Sequence, residues 1–200
     1  MEENKKVSAK KRLVNFDFFR VCVFENKDKL KRYDMLGLLD FISKTSLEDR
    51  TFTIQGEQAR VHKITLHQKY PYELFQLNLC RLREETPGIA STISSELSNI
   101  PLEANEYIAE DINILYDNSI HVLMVQRNIH SLSATGLEVY FQEMMNKMDP
   151  NNNLDISLEP VLDIFSLQKA KTKDIYRKLT IRVASNIGGS LISNPIKKKF

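Results

Sequence analysis

The residues best suited to metal chemistry are four carboxylates in the middle of the chain, in a polar segment that leads into an alternating apolar run. They are Glu103, Glu106, Glu110 and Asp111. Paired acids can hold Mg²⁺ beside a phosphate, which is the chemistry of a metal-dependent nuclease. Asp117 at the end of one strand and Gln126 on the next fit the same chemistry. Solvation of a loop-to-strand junction also accounts for these acids, so the nuclease is kept as an alternative.

Three hydrogen-bonding residues, Gln126, Arg127 and Asn128, directly follow the most apolar run of the chain and precede a predicted helix. A guanidinium can bind a phosphate or carboxylate through two parallel hydrogen bonds, and a helix N-terminus offers N–H groups to the same anion. Arg127 and Asn128 are therefore candidates for contact with an anion or a nucleic acid. The structural alternative is that Arg127 pairs with the acidic segment while Asn128 shapes the turn.

A group of basic residues lies in the last quarter of the chain. In the strand predicted for residues 175–184, Lys178 and Arg182 fall on one face, and the residues of the other face are apolar. One face can then pack while the other presents positive charge to phosphates. Lys171 and Lys173 precede the strand and extend the same surface. The alternative is a basic face that is only solvated.

No pattern of residues marks a catalytic centre, a metal site or a cofactor site. The chain lacks a phosphate-binding glycine loop, a nucleophile elbow and a Cys/His cluster. Alternation predicts His62 and His67 on opposite faces of one strand, where they cannot share an ion. Cys22 and Cys80 lie in apolar strand-like runs and are interpreted as buried thiols. These observations predict a non-catalytic protein.

Composition places the chain among globular proteins. Hydrophobic residues make up 42% of its 200 residues and charged residues 27%, which argues against disorder. The first twelve residues are charged and lack the apolar centre of a signal peptide. No apolar run approaches the roughly 20 residues that a membrane helix needs. We therefore expect a cytoplasmic protein without membrane insertion.

The periodicity of apolar residues predicts an α+β fold with a mostly antiparallel sheet and two to three covering helices. The predicted strands are 16–24, 51–54, 59–66, 72–82, 107–116 and 120–125. The third and fourth, and the last two, are expected to form hairpins. The first strand alternates imperfectly, which predicts that both of its faces are covered. Helical spacing predicts a helix from Lys29 to Lys44 and another from an N-cap near Ser133 to a point before Asp149.

The expected domain organisation follows from these elements. Residues 13–150 form the main α+β domain, and residues 151–186 form a small strand-rich appendage. The appendage holds a strand at 154–158, a helical segment at 161–170 and a last strand at 179–183. Residues 1–12 and 187–200 are basic and are expected to be flexible tails. The formal net charge is only +2, but the charges are unevenly distributed. The cations are concentrated at the two ends and in the last quarter.

The order of several short motifs resembles that of an uncharacterised bacterial family found in mobile and prophage-like contexts. The motifs are Leu82-Arg83-Glu84-Glu85 with Pro87-Gly88, Glu106-Tyr107-Ile108 with Glu110-Asp111, Tyr116-Asp117, the run Val122–Asn128, and Glu138-Val139-Tyr140. The resemblance covers residues 16–184. The layout is also similar to that of the phage-exclusion protein RexA and of the KwaB component of the Kiwa anti-phage system.

The resemblance implies a dimer or higher homo-oligomer that binds DNA without strong sequence preference, in phage defence or prophage exclusion. The main hypothesis is therefore a non-catalytic, sequence-tolerant DNA-binding protein without a cofactor. Its candidate nucleic-acid contacts are Lys171, Lys173, Lys178, Arg182, Arg127 and Asn128. The first alternative is a protein-binding accessory subunit of a multi-component defence system, and the second is the metal-dependent nuclease.

Overall fold

The computed structural model describes residues 13–25, 29–69, 72–85, 87–93 and 95–161. The strands are β1 (Phe16–Glu25), β2 (Lys29–Arg32), β3 (Phe52–Ile54), β4 (Glu57–Lys69), β5 (Tyr72–Arg83), β6 (Gly88–Ala90), β7 (Leu97–Asn99), β8 (Ile108–Asp117), β9 (Val122–Gln126) and β10 (Leu154–Pro160). The helices are α1 (Leu36–Lys44) and α2 (Ala134–Met148).

Eight strands form one sheet, and every pairing in it is antiparallel. The order is β10-β1-β9-β8-β5-β4-β3, with β2 paired to β1, while β6 and β7 form a separate two-stranded sheet. The predicted α+β class and both predicted hairpins, β4–β5 and β8–β9, are confirmed. The small β6–β7 sheet was not predicted, because the segment from 88 to 99 is polar and weakly patterned.

Both helices pack on one face of the sheet. Leu38, Leu39 and Ile42 of α1 are fully buried and belong to the same hydrophobic core as the strand residues Leu77 and Ile112. Helix α2 contacts β10 and also β3, which are the two ends of the sheet order. One helix can touch both ends only if the sheet curls around it. The core therefore lies between α2, α1 and the concave face of a curled sheet.

Side chains of helix α2 also form hydrogen bonds with backbone groups along the outer edge of β10. Gln142 accepts a hydrogen bond from the Ile156 amide at 2.8 Å and donates one to the Leu154 carbonyl at 3.0 Å. Glu138, one helical turn earlier, accepts a hydrogen bond from the Leu158 amide at 2.7 Å. Side chains spaced by four residues lie on one side of a helix, so the pair serves the strand edge in place of a neighbouring strand.

The first helix begins later than predicted. Residues 29–32 form β2, and α1 starts at Leu36, whose amide donates to the Asp34 carboxylate at 2.9 Å. Strand β9 pairs only with residues 16–20 of β1, so the remainder of that edge is left for β2 to pair with residues 22–25. Tertiary pairing therefore overrides the helical spacing of this segment.

A bulge in β4 changes the predicted facing of its residues. The pairing register with β5 shifts between Val61, opposite Leu79, and Lys63, opposite Asn78. Val61 and Ile64 consequently both pack on the core, although simple alternation had placed them on opposite faces. The predicted facing is wrong across 61–64, because one extra residue inverts the alternation that follows it.

The end of the main sheet lies beyond the predicted domain boundary. Strand β10 was assigned to the appendage, but it pairs with β1 and completes the eight-stranded sheet. The main unit therefore extends past residue 150. The remainder of the predicted appendage, with its helical segment and last strand, lies outside the described residues, as do the predicted tails at 1–12 and 187–200.

The second helix matches its prediction closely. Ser133 is the N-cap, and its hydroxyl accepts a hydrogen bond from the Gly136 amide at 3.2 Å, while the helix ends before Asp149. Its buried residues are Gly136, Leu137, Tyr140, Phe141, Met144 and Met145. Among the described helices, none has the length and apolar character required to cross a membrane.

Candidate functional site

The face of the sheet turned away from both helices is called the open face here. It consists of the residues that alternate with the buried core residues on β1, β9, β8 and β5. On the four strands in turn these are Phe16 and Phe18, Met124 and Gln126, Asn113 and Leu115, and Gln76 and Asn78. The open face combines aromatic, aliphatic and amide side chains, and it contains the most extensive hydrogen-bonded row of polar side chains in the described sheet.

Three of these polar residues, together with His67 on the neighbouring strand β4, form what we call the amide ladder, which crosses four adjacent strands. The Nε2 atom of His67 on β4 lies 2.9 Å from Oε1 of Gln76 on β5. Gln76 donates to Oδ1 of Asn113 on β8 at 3.0 Å, and Asn113 donates to Oε1 of Gln126 on β9 at 3.2 Å. The ladder therefore links the polar residues of β4, β5, β8 and β9 in one continuous row.

The direction of the amide ladder is fixed by a backbone group. The amide of Asn113 donates to the Gln126 side chain at 3.2 Å, and a backbone N–H can only donate, so the atom facing it must be the oxygen. The Asn113 side chain must then offer its NH₂ group to the same oxygen and its own oxygen to Gln76. Gln76 uses its NH₂ group for Asn113, so its oxygen faces His67. An amide oxygen only accepts, so His67 must carry its hydrogen on Nε2. The NH₂ group of Gln126 is left at the β9 end of the row.

Asn128 has a structural role in the loop after β9. Its side chain donates to the Asp111 carbonyl at 3.1 Å and accepts from the His130 amide at 3.0 Å. The second bond spans two residues, which is the turn geometry typical of asparagine. Asn128 thus shapes the turn, as the structural alternative expected. Its contact with a nucleic acid stays a prediction.

Arg127 binds a carboxylate that sequence reasoning did not identify. Its Nε and Nη2 atoms donate to the two oxygens of Asp17 at 2.6 and 2.5 Å, and this pair raises the pKa of Arg127. The backbone amide of Arg127 also donates to the Asn15 carbonyl at 2.8 Å. The expected partner in the acidic segment is therefore replaced by Asp17. The Arg127 side chain remains 61% exposed and lies beside the first residues of β1.

The two aromatic residues of the open face are more exposed than expected. Phe16 and Phe18 retain 38% and 47% of their accessible surface, so the expectation that both faces of β1 are covered is wrong at these two positions, whereas Cys22 on the same face is buried. Phe16 lies opposite Gln126, and Phe18 lies opposite Met124. Sequence reasoning missed this pair because β1 is apolar at most positions. The available signal was their i, i+2 spacing at the start of the strand.

The four central acids do not converge on one site. Glu110 and Asp111 are adjacent in β8 and therefore project to opposite faces, where Glu110 lies 3.6 Å from Arg83 and Asp111 accepts from Asn78 at 2.9 Å. Glu106 accepts from the Glu103 amide at 3.0 Å in a local turn. In the part of the chain that the structure describes, no three His, Cys, Asp or Glu side chains are grouped closely enough to hold a metal ion.

The remaining candidates of the nuclease alternative are also separated. Asp117 accepts from the amide and hydroxyl of Ser119 in the β8–β9 turn, whereas Gln126 belongs to the amide ladder. Glu84, Glu103 and Glu106 line an open cavity of about 430 Å³ beside the end of β5. These contacts are local turn and surface contacts, and they do not assemble an acid pair across two strands.

Cys22 and Cys80 are buried free thiols, as predicted. Burial raises the pKa of both thiols, with a nearby carboxylate, Glu159 or Asp111 respectively, adding to the effect. A raised pKa leaves little thiolate at neutral pH, so neither cysteine has the character of a nucleophile.

The four lysine and arginine candidates of the last quarter, Lys171, Lys173, Lys178 and Arg182, lie outside the described residues. The last described residue before this segment is Val161. The amide of Val161 donates to the carbonyl of Phe18 at 2.8 Å. At the other end, the basic residues 5–12 directly precede Leu13 and β1. Both basic segments are therefore joined to the fold beside the exposed phenylalanines.

The fold and this site define a helix-backed, curled antiparallel sheet with one aromatic and amide-lined open face. The chain belongs to DUF6731, a family of unknown function whose model matches residues 9–198. No curated protein matches it significantly, and neither does any solved structure.

Proposed function

We propose that this chain is a cytoplasmic, non-catalytic protein that binds DNA with little sequence preference. The observation that carries the proposal is the common attachment point of its two basic segments. Arg12 is four residues from Phe16, and Val161, from which the second segment continues, is hydrogen-bonded to Phe18. The two basic segments thus continue from neighbouring points of the described fold.

Clustered cations in both segments are suited to contact the phosphates of DNA. Phosphate contacts carry no sequence information, which supports sequence-tolerant binding.

Binding is favoured over cleavage by the placement of the acids. The residues of the nuclease alternative project from opposite faces of β8 or engage in local turns. A two-metal or one-metal hydrolytic site needs carboxylates that converge on the same phosphate. The proposed role of the chain is therefore to hold DNA.

The proposal is tested by anisotropy titrations of labelled duplex and single-stranded DNA at several salt concentrations. Affinity should fall steeply with salt, because phosphate contacts release counterions. The double variant Lys178→Ala/Arg182→Ala should bind all sequences more weakly, and its salt slope should be lower by about one unit for each cation that no longer meets a phosphate. The control Lys44→Ala/Lys147→Ala removes the same charge from the two helices and should bind like the parent.

Two results would contradict the proposal. One is a parent protein that binds neither duplex nor single strand at micromolar concentration and low salt. The other is a basic double variant that binds as tightly as the parent. In either case the accessory-subunit alternative takes first place, and the exposed apolar patch at Phe16 and Phe18 supports it. That alternative predicts a partner protein that co-purifies with the chain.

The biological setting is a separate proposal that follows from the order of the motifs. We propose a role in phage defence or prophage exclusion, with the chain acting as a homo-oligomer. Plaque counts on cells with and without the protein test the first part, and light scattering of the purified protein tests the second. Unchanged plaque counts for a broad phage panel would remove the defence role, and a monomer that persists on DNA would remove the oligomer.

A further inference from the structure

We propose that the β6–β7 hairpin is a docking arm for an extended, basic and aliphatic segment of a partner protein. The arm is defined as residues 84–107, which connect β5 to β8. It holds β6 and β7, which pair with each other and with no other described strand. The arm is separate from the eight-stranded sheet and its open face, and this inference does not depend on the proposed DNA binding.

The side chains of the arm are exposed although several of them are aliphatic. All six residues of β6 and β7 are exposed. Ile93, between the two strands, is 95% exposed, and Leu97 on β7 is 74% exposed. Clustered aliphatic side chains on a surface mark interaction sites, and a two-stranded sheet by itself is at best marginally stable in water. A partner that covers these side chains would therefore stabilise the hairpin.

The backbone of the arm also offers unpaired groups. The strands β6 and β7 each use one edge for their mutual pairing, and the outer edge of each pairs with no described strand. An exposed edge can accept a further strand through main-chain hydrogen bonds, while alternate side chains of the added strand determine specificity. The occupant is therefore an extended polypeptide that adds a strand to the arm.

The charge of the arm specifies the chemistry of the added strand. The sequence from Glu84 to Gln126 contains no lysine or arginine. The preceding cation, Arg83, lies against Glu110 of β8, with 3.6 Å between the charged atoms. The carboxylates of the arm are Glu84, Glu85, Glu96, Glu103 and Glu106. Such a surface repels phosphates and attracts lysine and arginine, so charge complementarity selects a basic polypeptide and disfavours a nucleic acid.

A cavity beside β7 fits a long cationic side chain. Its volume is about 430 Å³, and Asn99, the last residue of β7, is part of its lining. Three carboxylates and three apolar side chains form much of the remaining wall, namely Glu84, Glu103, Glu106, Ile100, Leu102 and Tyr107. A lysine or arginine can pack its methylene stem on the apolar groups and place its charge among the carboxylates. A strand that adds to β7 would carry that basic residue next to Asn99.

The first experiment is an NMR titration of the isotope-labelled full chain with three synthetic octapeptides. Valine alternates with lysine in the first, valine with glutamate in the second and serine with lysine in the third. The valine–lysine peptide should bind and shift the amide signals of residues 88–99. The other two should bind roughly tenfold more weakly or worse, because each lacks one half of the complementarity. Equal binding of the serine–lysine peptide would overturn the inference, since charge alone would then account for binding.

A pair of variants locates the binding surface. Ile89→Ser/Leu97→Ser removes exposed aliphatic groups only, and it should weaken binding of the valine–lysine peptide by roughly tenfold or more. Ile120→Ser is the matched control, because Ile120 is also exposed, at 51%, but follows β8, whereas the arm precedes that strand. Equal affinities of the two variants for the peptide would overturn the inference.

Hydrogen exchange gives a readout that needs no variant. The amides of β6 and β7 should exchange quickly in the parent protein, because their sheet has only two strands, and the valine–lysine peptide should slow that exchange. Slow exchange in the parent alone would show that the arm is already covered. Exchange that the peptide leaves unchanged would show that no strand is added. Either result would overturn the inference.

The outcomes separate this inference from the proposed function. Ile89→Ser/Leu97→Ser should bind DNA like the parent, because an acidic arm is not a phosphate-binding surface. Loss of DNA binding in this variant would place the arm in the nucleic-acid site and overturn the inference. A parent that binds the valine–lysine peptide and no DNA would support the arm while the proposed function fails. If light scattering shows that the variant loses self-association, a second copy occupies the arm, and the inference is again overturned.

Discussion

The hydroxyl of Tyr140 on α2 accepts a hydrogen bond from the amide of Val61, 3.0 Å away at the bulge of β4. The same hydroxyl donates to the carbonyl of Arg50 at 3.0 Å. The guanidinium of Arg50 in turn donates to the carbonyls of Ile42 and His62, each at 2.8 Å. One buried tyrosine thus joins the bulge, the end of α1 and the loop that follows it.

Replacement of Tyr140 by Phe should lower the free energy of unfolding by about 1–3 kcal/mol. The change leaves the amide of Val61 and the carbonyl of Arg50 without their partner in a buried site, and unmade buried hydrogen bonds cost about this much. Urea unfolding followed by circular dichroism measures the change. Tyr33→Phe is the matched control, because the Tyr33 hydroxyl makes no hydrogen bond to any of the described residues. Equal stability of the two variants would contradict the role of this contact.

Alkaline pH should destabilise the fold between about pH 10 and 12. Burial raises the pKa of Tyr116 and of Tyr140 to about 12, from an ordinary value of 10.0. In this window the unfolded chain has released protons that the folded chain still binds, so the free energy of unfolding falls as pH rises. Urea titrations from pH 9 to 12 should show this fall, with a shallower slope in Tyr140→Phe. A slope that is the same in both proteins would refute the assignment.

The direction of the amide ladder predicts an asymmetry between two similar substitutions. Gln126→Glu keeps the oxygen that accepts both hydrogen bonds from Asn113, so it should change the free energy of unfolding by less than about 0.5 kcal/mol. Asn113→Asp places a carboxylate oxygen against the oxygen of Gln126 and should cost about 1–3 kcal/mol. Urea unfolding of both variants at neutral pH decides this. Equal costs would mean that the amides are oriented the other way.

The helix side chains that serve the edge of β10 should control its local opening. Gln142→Leu removes the acceptor of the Ile156 amide, so hydrogen exchange at Ile156 should become faster. Glu138→Gln retains an oxygen for the Leu158 amide and should leave exchange there nearly unchanged. Exchange measured by NMR gives both rates. Glu143→Ala, on the exposed side of α2, is the control and should alter neither amide.

Asp17→Asn should strengthen nucleic-acid binding. The carboxylate of Asp17 occupies two of the donors of Arg127 and neutralises its charge. Removal of that charge frees the guanidinium for a phosphate, and the salt dependence should steepen by about one counterion. Anisotropy titrations of the variant against the parent measure both quantities. Weaker binding would show that the ion pair organises the site instead of blocking it.

Local periodicity was sufficient to predict most elements of the sheet. Strands such as β5 and β8 alternate cleanly because one face is in the core, and Ser133 marks the start of α2 because its hydroxyl caps the first turn. The strand Leu154–Pro160 was predicted from the same alternation. Its membership of the main sheet was not, because its partner β1 lies near the other end of the chain.

The candidate site was harder to predict because its contacts are long-range. Arg127 and Asp17 are separated by 110 positions in the sequence, so no local pattern pairs them. The amide ladder exists only because four strands place Gln76 and Asn113 in neighbouring register. The bulge in β4 also has no local signature, although it decides which residues of that strand face the core.

The pairing of β1 with β10 has a consequence for biosynthesis. Phe19 lies opposite Pro160, so β1 leaves the ribosome roughly 140 residues before the strand that covers one of its edges. At 5–20 residues per second this interval is on the order of ten seconds. During that time an apolar strand with unpaired backbone groups can bind another nascent chain. The late arrival of β10 therefore leaves the emerging polypeptide more open to association with other chains than the folded protein is.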